Sequence, residues 1–279
     1  MSPLILSFLL SAVLPAALVS LLLLASKWLP QGFRSRFQAF VFALGYGLGS
    51  YLIIRRLNFP PQDFSESISF AALLLAGFAF LAPRKVGSRY LVRAIFVALV
   101  FLVILWNLRD AMDSMVNKRN ALAFFFLALG TWSIVEKGIG IVSSITLVAL
   151  PLVSATALSL ILLFKGSASF SQQTVTLCAL LGGVLTLTVL WKKVVDFEAL
   201  GAFLSVLVVA LMAGGHFYLD INPWHMVFLA FPYLILWISA WIPFLPKSAI
   251  GEAATLSLIS AAPLAYFVHE VFKASGPLY

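Results

Sequence analysis

Histidines and carboxylates are the residues in this chain best equipped to do chemistry. His216, Asp220 and His225 sit together in the stretch GGHFYLDINPWH, and His269 with Glu270 follows near the carboxyl end. Imidazole and carboxylate oxygen are ligand types for zinc or iron, and imidazole also titrates near neutral pH. The would-be ligands come from two separate segments without metal-motif spacing, and Cys178 is the single cysteine, so neither a metal nor a cofactor is expected. A Gly-rich phosphate loop, a nucleophile elbow and a paired-cysteine motif are all missing, and no catalytic residue is assigned.

A second set of residues suits a polar path rather than catalysis. Ser143, Ser144 and Thr146 precede Pro151 in the most hydroxylated apolar run, and Pro151 removes a backbone donor near mid-membrane. Glu252 opens the last apolar run; facing those hydroxyls, its carboxylate would become a proton- or ion-coupling group. Gly45 and Gly49 form a small-x-x-x-small pair that lets another backbone approach, and Gly182 lies at mid-depth in a later run.

The elements that must position these groups are apolar helices. Hydrophobic residues make up 62% of the chain and charged residues 10%, too little polar surface to cover a soluble domain. Windows of about 20 apolar residues place ten spans, at 3–25, 37–54, 67–83, 90–107, 120–135, 139–164, 173–191, 199–215, 223–245 and 252–272. The expected fold is all-α: a polytopic transmembrane helix bundle forming one domain over 1–279, without a soluble domain. Its halves, 1–136 and 137–279, would form a 5+5 repeat. The first run has no basic residue ahead of its apolar core, which reads as a retained span. Gly214 and Gly215 are expected to weaken the end of the eighth span, and Asn222 with Pro223 to start the ninth. Arg93, one turn into the fourth span, is expected to snorkel to the headgroups.

The net charge of +8 does not indicate nucleic acid, because the basic residues are scattered through short connectors. Odd-numbered connectors hold eleven of the 18 lysines and arginines, even-numbered connectors and the tail seven. The excess places the odd connectors inside and both termini outside. His216, Asp220, His225, His269 and Glu270 then share the outer face. On the connector after the fourth span, Asp110 and Asp113 share a helical face beside Arg109, Lys118 and Arg119, which suits a solvated surface.

GYGLGSYLI, followed by a Pro60–Pro61 connector with acids and a third apolar helix, resembles the early part of uncharacterised multi-span proteins of bacterial membranes. The resemblance implies a bacterial cytoplasmic membrane and carries over no functional residues. In span number alone the chain also resembles ten-helix drug/metabolite transporters, whose termini lie on the cytoplasmic side, opposite to the charge count here. The expectation is a permease-like protein for a small solute, surrounded by membrane lipids. Its path would be lined by the second, sixth, seventh and tenth spans and involve Gly45, Gly49, Ser143, Ser144, Thr146, Pro151, Gly182 and Glu252. The rivals are a membrane enzyme acting at the outer face on a lipid-linked substrate, through His216, Asp220, His225 and His269, and a non-catalytic assembly subunit.

Overall fold

The computed structural model describes residues 9–275, apart from 57, 82–85, 110–111, 113, 192–193 and 243–244. Asp110 and Asp113 lie outside the described residues. Among the described residues the chain is all-helical, with ten helices and no strand. These are α1 (Leu9–Trp28), α2 (Gln31–Ile54), α3 (Phe64–Leu81), α4 (Val86–Leu105), α5 (Met115–Gly138), α6 (Ser144–Phe164), α7 (Ala168–Leu190), α8 (Phe197–Leu219), α9 (Pro223–Ile238) and α10 (Ala249–Ser275). Seven are long and apolar enough to cross a membrane, which makes this a multi-pass integral membrane protein. The apolar stretches of α3, α8 and α9 are shorter, at Phe64–Phe78, Leu204–Leu219 and Pro223–Ile238.

The bundle is organised around α8. Leu204 to His216 is buried without interruption, and α8 packs on α2, α3, α4, α5, α6 and α9. A helix apolar on every side can be enclosed by other helices without stranding a polar side chain. Small residues decide how closely the others approach. A methyl group built on Gly45 would lie 2.1 Å from Val19 of α1, and one on Gly49 would lie 2.3 Å from Thr176 of α7. The Gly45/Gly49 face is therefore filled by α1 and α7, and it serves packing within the chain.

Contacts at the helix ends show the elements alternating in direction. At the ends joined by the odd-numbered connectors, here the basic face, the wholly buried Gln38 donates from Nε2 to Ser26 Oγ (2.6 Å) and to the Val194 carbonyl (2.7 Å). Its Oε1 accepts the Asp196 N–H at 2.7 Å, so one amide ties the α7–α8 connector to α1 and α2. Nearby, the Arg93 guanidinium forms a bidentate pair with Glu136 of α5 and lies 5.4 Å from the ring of Tyr90 and 5.0 Å from that of Trp132. The expected snorkelling does not occur: Arg93 is 7% exposed, because the Glu136 carboxylate and Trp132 ring of α5, with Tyr90 one turn back on α4, replace its hydration more completely than the headgroups would.

The opposite face carries the three histidines and is called the histidine face below. Here Asp63 accepts the Glu66 N–H at 2.9 Å and caps α3, while the buried Glu66 carboxylate accepts from Gln62 N (2.7 Å) and Asn58 Nδ2 (2.9 Å) and pairs with Arg56 (3.3 Å). Arg56 also donates to Asp63 at 2.8 Å, and this bond raises the guanidinium pKa above its ordinary value. The α2–α3 connector is thus folded onto the start of α3 by its own charges.

The GGHFYLDINPWH stretch departs from expectation. α8 continues through Gly214, Gly215, His216, Phe217 and Tyr218 to Leu219, leaving Asp220 to Asn222 as the connector. The glycines do not weaken this end, because the vacancy left by Gly214 is filled by Phe64: a methyl group there would sit 2.0 Å from Phe64 Cζ. Phe64, Phe170 and Tyr218 form an aromatic cluster, with centroids 4.7 and 5.0 Å from Phe64, and Tyr218 donates to the Ile104 carbonyl at 3.1 Å.

Candidate functional site

Asp220 ends α8 in the left-handed region, with φ of 52°, a conformation that a short polar side chain tolerates better than most. Ile221 N–H then returns to the Gly215 carbonyl at 3.3 Å, and the Ile221 carbonyl approaches His216 Nδ1 at 2.7 Å. A carbonyl only accepts, so Nδ1 carries the proton. In a neutral ring Nε2 is then the acceptor for Asn120 Nδ2 at 2.9 Å. His216 thus links α5 to the α8–α9 turn, with both ring nitrogens engaged.

The remaining members of the predicted outer cluster turn elsewhere. His225 packs edge-on against Phe267, with ring centroids 4.9 Å apart. His269 lines a groove between α6 and α10, and Glu270 lies 3.6 Å from Lys273. Asp220 is exposed. Among the described residues no group of three or more His, Cys, Asp or Glu side chains is placed to hold a metal ion.

The hydroxyl-rich α6 makes polar contacts at three depths. At its basic-face end, Ser143 caps the helix by accepting the Thr146 N–H at 3.2 Å. The Glu252 carboxylate of α10 accepts the Ser143 N–H at 3.2 and 3.3 Å and the Thr146 hydroxyl at 3.3 Å, and Ser143 Oγ donates to the Ala249 carbonyl at 3.3 Å. A carboxylate at a helix amino terminus meets unpaired N–H groups and the positive end of the dipole. Glu252 forms no ion pair among the described residues. Ser144 opens the helix beside this contact.

Halfway along α6, past Pro151, Ser154 donates its hydroxyl to the carbonyl of Leu229 on α9. α9 is interrupted there: it runs Pro223–Phe228, breaks, and resumes as Phe231–Ile238. Pro232 has no N–H to offer the Phe228 carbonyl, and Tyr233 N–H goes to Ala230 at 2.9 Å instead of to Leu229. The orphaned Leu229 carbonyl accepts from Ser154. Two wholly buried hydroxyls on the helices packed against α6, Tyr233 of α9 and Ser260 of α10, have no hydrogen-bond partner among the described residues. Toward the histidine face, Ser159 and Ser171 share hydroxyls at 3.2 Å across α6 and α7.

The structure therefore brings Glu252 together with Ser143 and Thr146, and places Pro151 on the same helix. It does not bring Gly45 and Gly49 to that group, and Gly182 on α7 faces open space. The α9 interruption, Tyr233 and Ser260 were not among the expected site residues. Pro232 was the visible signal for the interruption, since its ring removes the helical bond to residue 228. No family model, curated protein or solved structure matches the chain.

Proposed function

We propose that the protein is a small-solute permease of a bacterial cytoplasmic membrane, with its path beside α6, α9 and α10. The observation that carries this reading is the interruption of α9, whose freed Leu229 carbonyl is held by Ser154 at the midpoint of the proline-containing α6. Irregular backbone at membrane depth is tolerated where it is buried in protein or lines a cavity, and discontinuous helices are the usual seat of transporter sites. The hydroxyls of Tyr233 and Ser260, without partners among the described residues, supply polar groups for a passing solute, and Glu252 of α10, seated on the start of α6, supplies a coupling carboxylate at the basic-face end. In this reading all ten helices span, the basic face is cytoplasmic and both termini lie outside.

The enzyme reading requires His216, Asp220, His225 and His269 to act on one substrate. His216 is bonded to Asn120 and Ile221, His225 packs on Phe267, His269 lines the α6–α10 groove and Asp220 is exposed, an arrangement that favours the permease. The test uses a Cys178→Ser background with single cysteines at Ala230 and Ser260 in proteoliposomes, exposed to a membrane-impermeant thiol reagent while flux of a solute panel is recorded. Labelling at both positions and flux of at least one solute above the protein-free leak are expected. Unlabelled cysteines and leak-level flux throughout would remove the permease and leave the assembly-subunit reading.

A further inference from the structure

We propose that the groove between α6 and α10 binds one acyl chain of an anionic phospholipid drawn from the leaflet on the histidine face. Both helices start at the basic face and run parallel, pinned there by Glu252 on Ser143 and Thr146. Toward the histidine face they enclose a cavity of about 660 Å³, bordered by the exposed Leu160, Ala265 and Phe272 and so open sideways to the bilayer. It begins at Leu152, beside Pro151, and ends where Phe164 and Phe272 meet with ring centroids 5.0 Å apart. At the helical rise this is roughly 18 Å, close to the ~15 Å depth of one leaflet's hydrocarbon.

The walls determine what fits. They are built from apolar side chains, with Ala157, Ala261 and Ala265 making the room. The two polar lining residues are Thr156 and His269. Thr156 Oγ1 already donates to the Leu152 carbonyl at 2.8 Å, so the inner groove asks nothing polar of a ligand. His269 lies at the outer end, where Lys165 and Lys273 are also exposed, and Glu270 offsets one of these charges at 3.6 Å from Lys273. A hydrocarbon chain with a single anionic group at the interface matches this distribution, because the chain meets carbon and the phosphate meets the excess cation.

The experiment needs no flux assay, so its failure is separable from failure of the permease reading. Full-length protein in detergent is offered phosphatidylglycerol or phosphatidylcholine with the same chains, and retained lipid is counted by native mass spectrometry. Wild type should retain phosphatidylglycerol about tenfold better than phosphatidylcholine. Ala265→Phe, which fills the groove from its exposed wall, should lose both lipids. The Lys165→Gln, Lys273→Gln double variant, altered only at exposed positions, should keep chain binding and lose the preference. Equal retention by wild type and Ala265→Phe overturns the proposal, as does wild type that does not distinguish the two lipids. Conversion of a dimer to a monomer by Ala265→Phe with lipid retention unchanged overturns it in favour of a second copy in the groove.

Discussion

Ser154, at the midpoint of α6, donates its hydroxyl to the backbone carbonyl of Leu229, the acceptor that α9 leaves unpaired where it breaks. The bond joins two proline-marked helices at a depth where water is not available to replace it. Ser154→Ala should therefore leave a buried carbonyl unsatisfied and lower stability by about 1–3 kcal/mol. Ser154→Thr, which retains the hydroxyl, should lose less. Thermal unfolding in a fixed detergent reads the difference, and identical midpoints for Ala and wild type would show that the bond contributes nothing.

Glu252 of α10, which caps the start of α6, offers an analogous test. Glu252→Gln keeps an oxygen acceptor for the Ser143 N–H and Thr146 hydroxyl and loses the charge, whereas Glu252→Ala loses both. The expected order of stability is wild type, Gln, Ala, with Ala down by about 1–2 kcal/mol. A double-mutant cycle with Thr146→Val should give a coupling energy above 0.5 kcal/mol, the lower end for groups in contact; additive effects would separate the two side chains.

Gly214 is expected to be intolerant of even a methyl group, because Phe64 occupies the space. Gly214→Ala should cost about 1–3 kcal/mol by overpacking. Adding Phe64→Leu should recover part of the loss despite its own cavity. If the single substitution proves silent in unfolding and in membrane yield, the close approach does not restrain α8.

The Arg93–Glu136 pair should show the asymmetry of a buried ion pair. Arg93→Met or Glu136→Gln alone strands a charge and should cost about 3–5 kcal/mol, scaled down because Glu136 is partly exposed, while Arg93→Met with Glu136→Leu should cost less than the worse single change. A double variant as unstable as the sum of the singles would indicate that Arg93 acts through Tyr90 and Trp132 instead.

Much of the architecture is legible in the sequence. Ten apolar runs became ten helices with ends displaced by a few residues, because a helix is the form that satisfies its own backbone in an apolar solvent. Asn222 caps α9 as its type and the following Pro223 suggested, accepting the Trp224 N–H at 3.0 Å. The site was less legible. Arg93 gave no sign of Glu136, 43 residues away, nor His216 of Asn120, 96 residues away, since a pattern within one helix says nothing about which neighbour it will face.

Apolar run length and capping residues thus determined by themselves that the chain builds apolar helices and, within a few residues, where they start. These are local consequences of backbone hydrogen bonding. Tertiary structure alone decided that α8 is central, that Gly45 and Gly49 are filled by α1 and α7, and that the three histidines lie in separate surroundings. It also decided that Glu252 seats on α6 and that Ser154 finds Leu229. Each depends on how ten nearly uniform apolar surfaces rank one another as neighbours, and small differences in side-chain volume settle that ranking only when all are packed together.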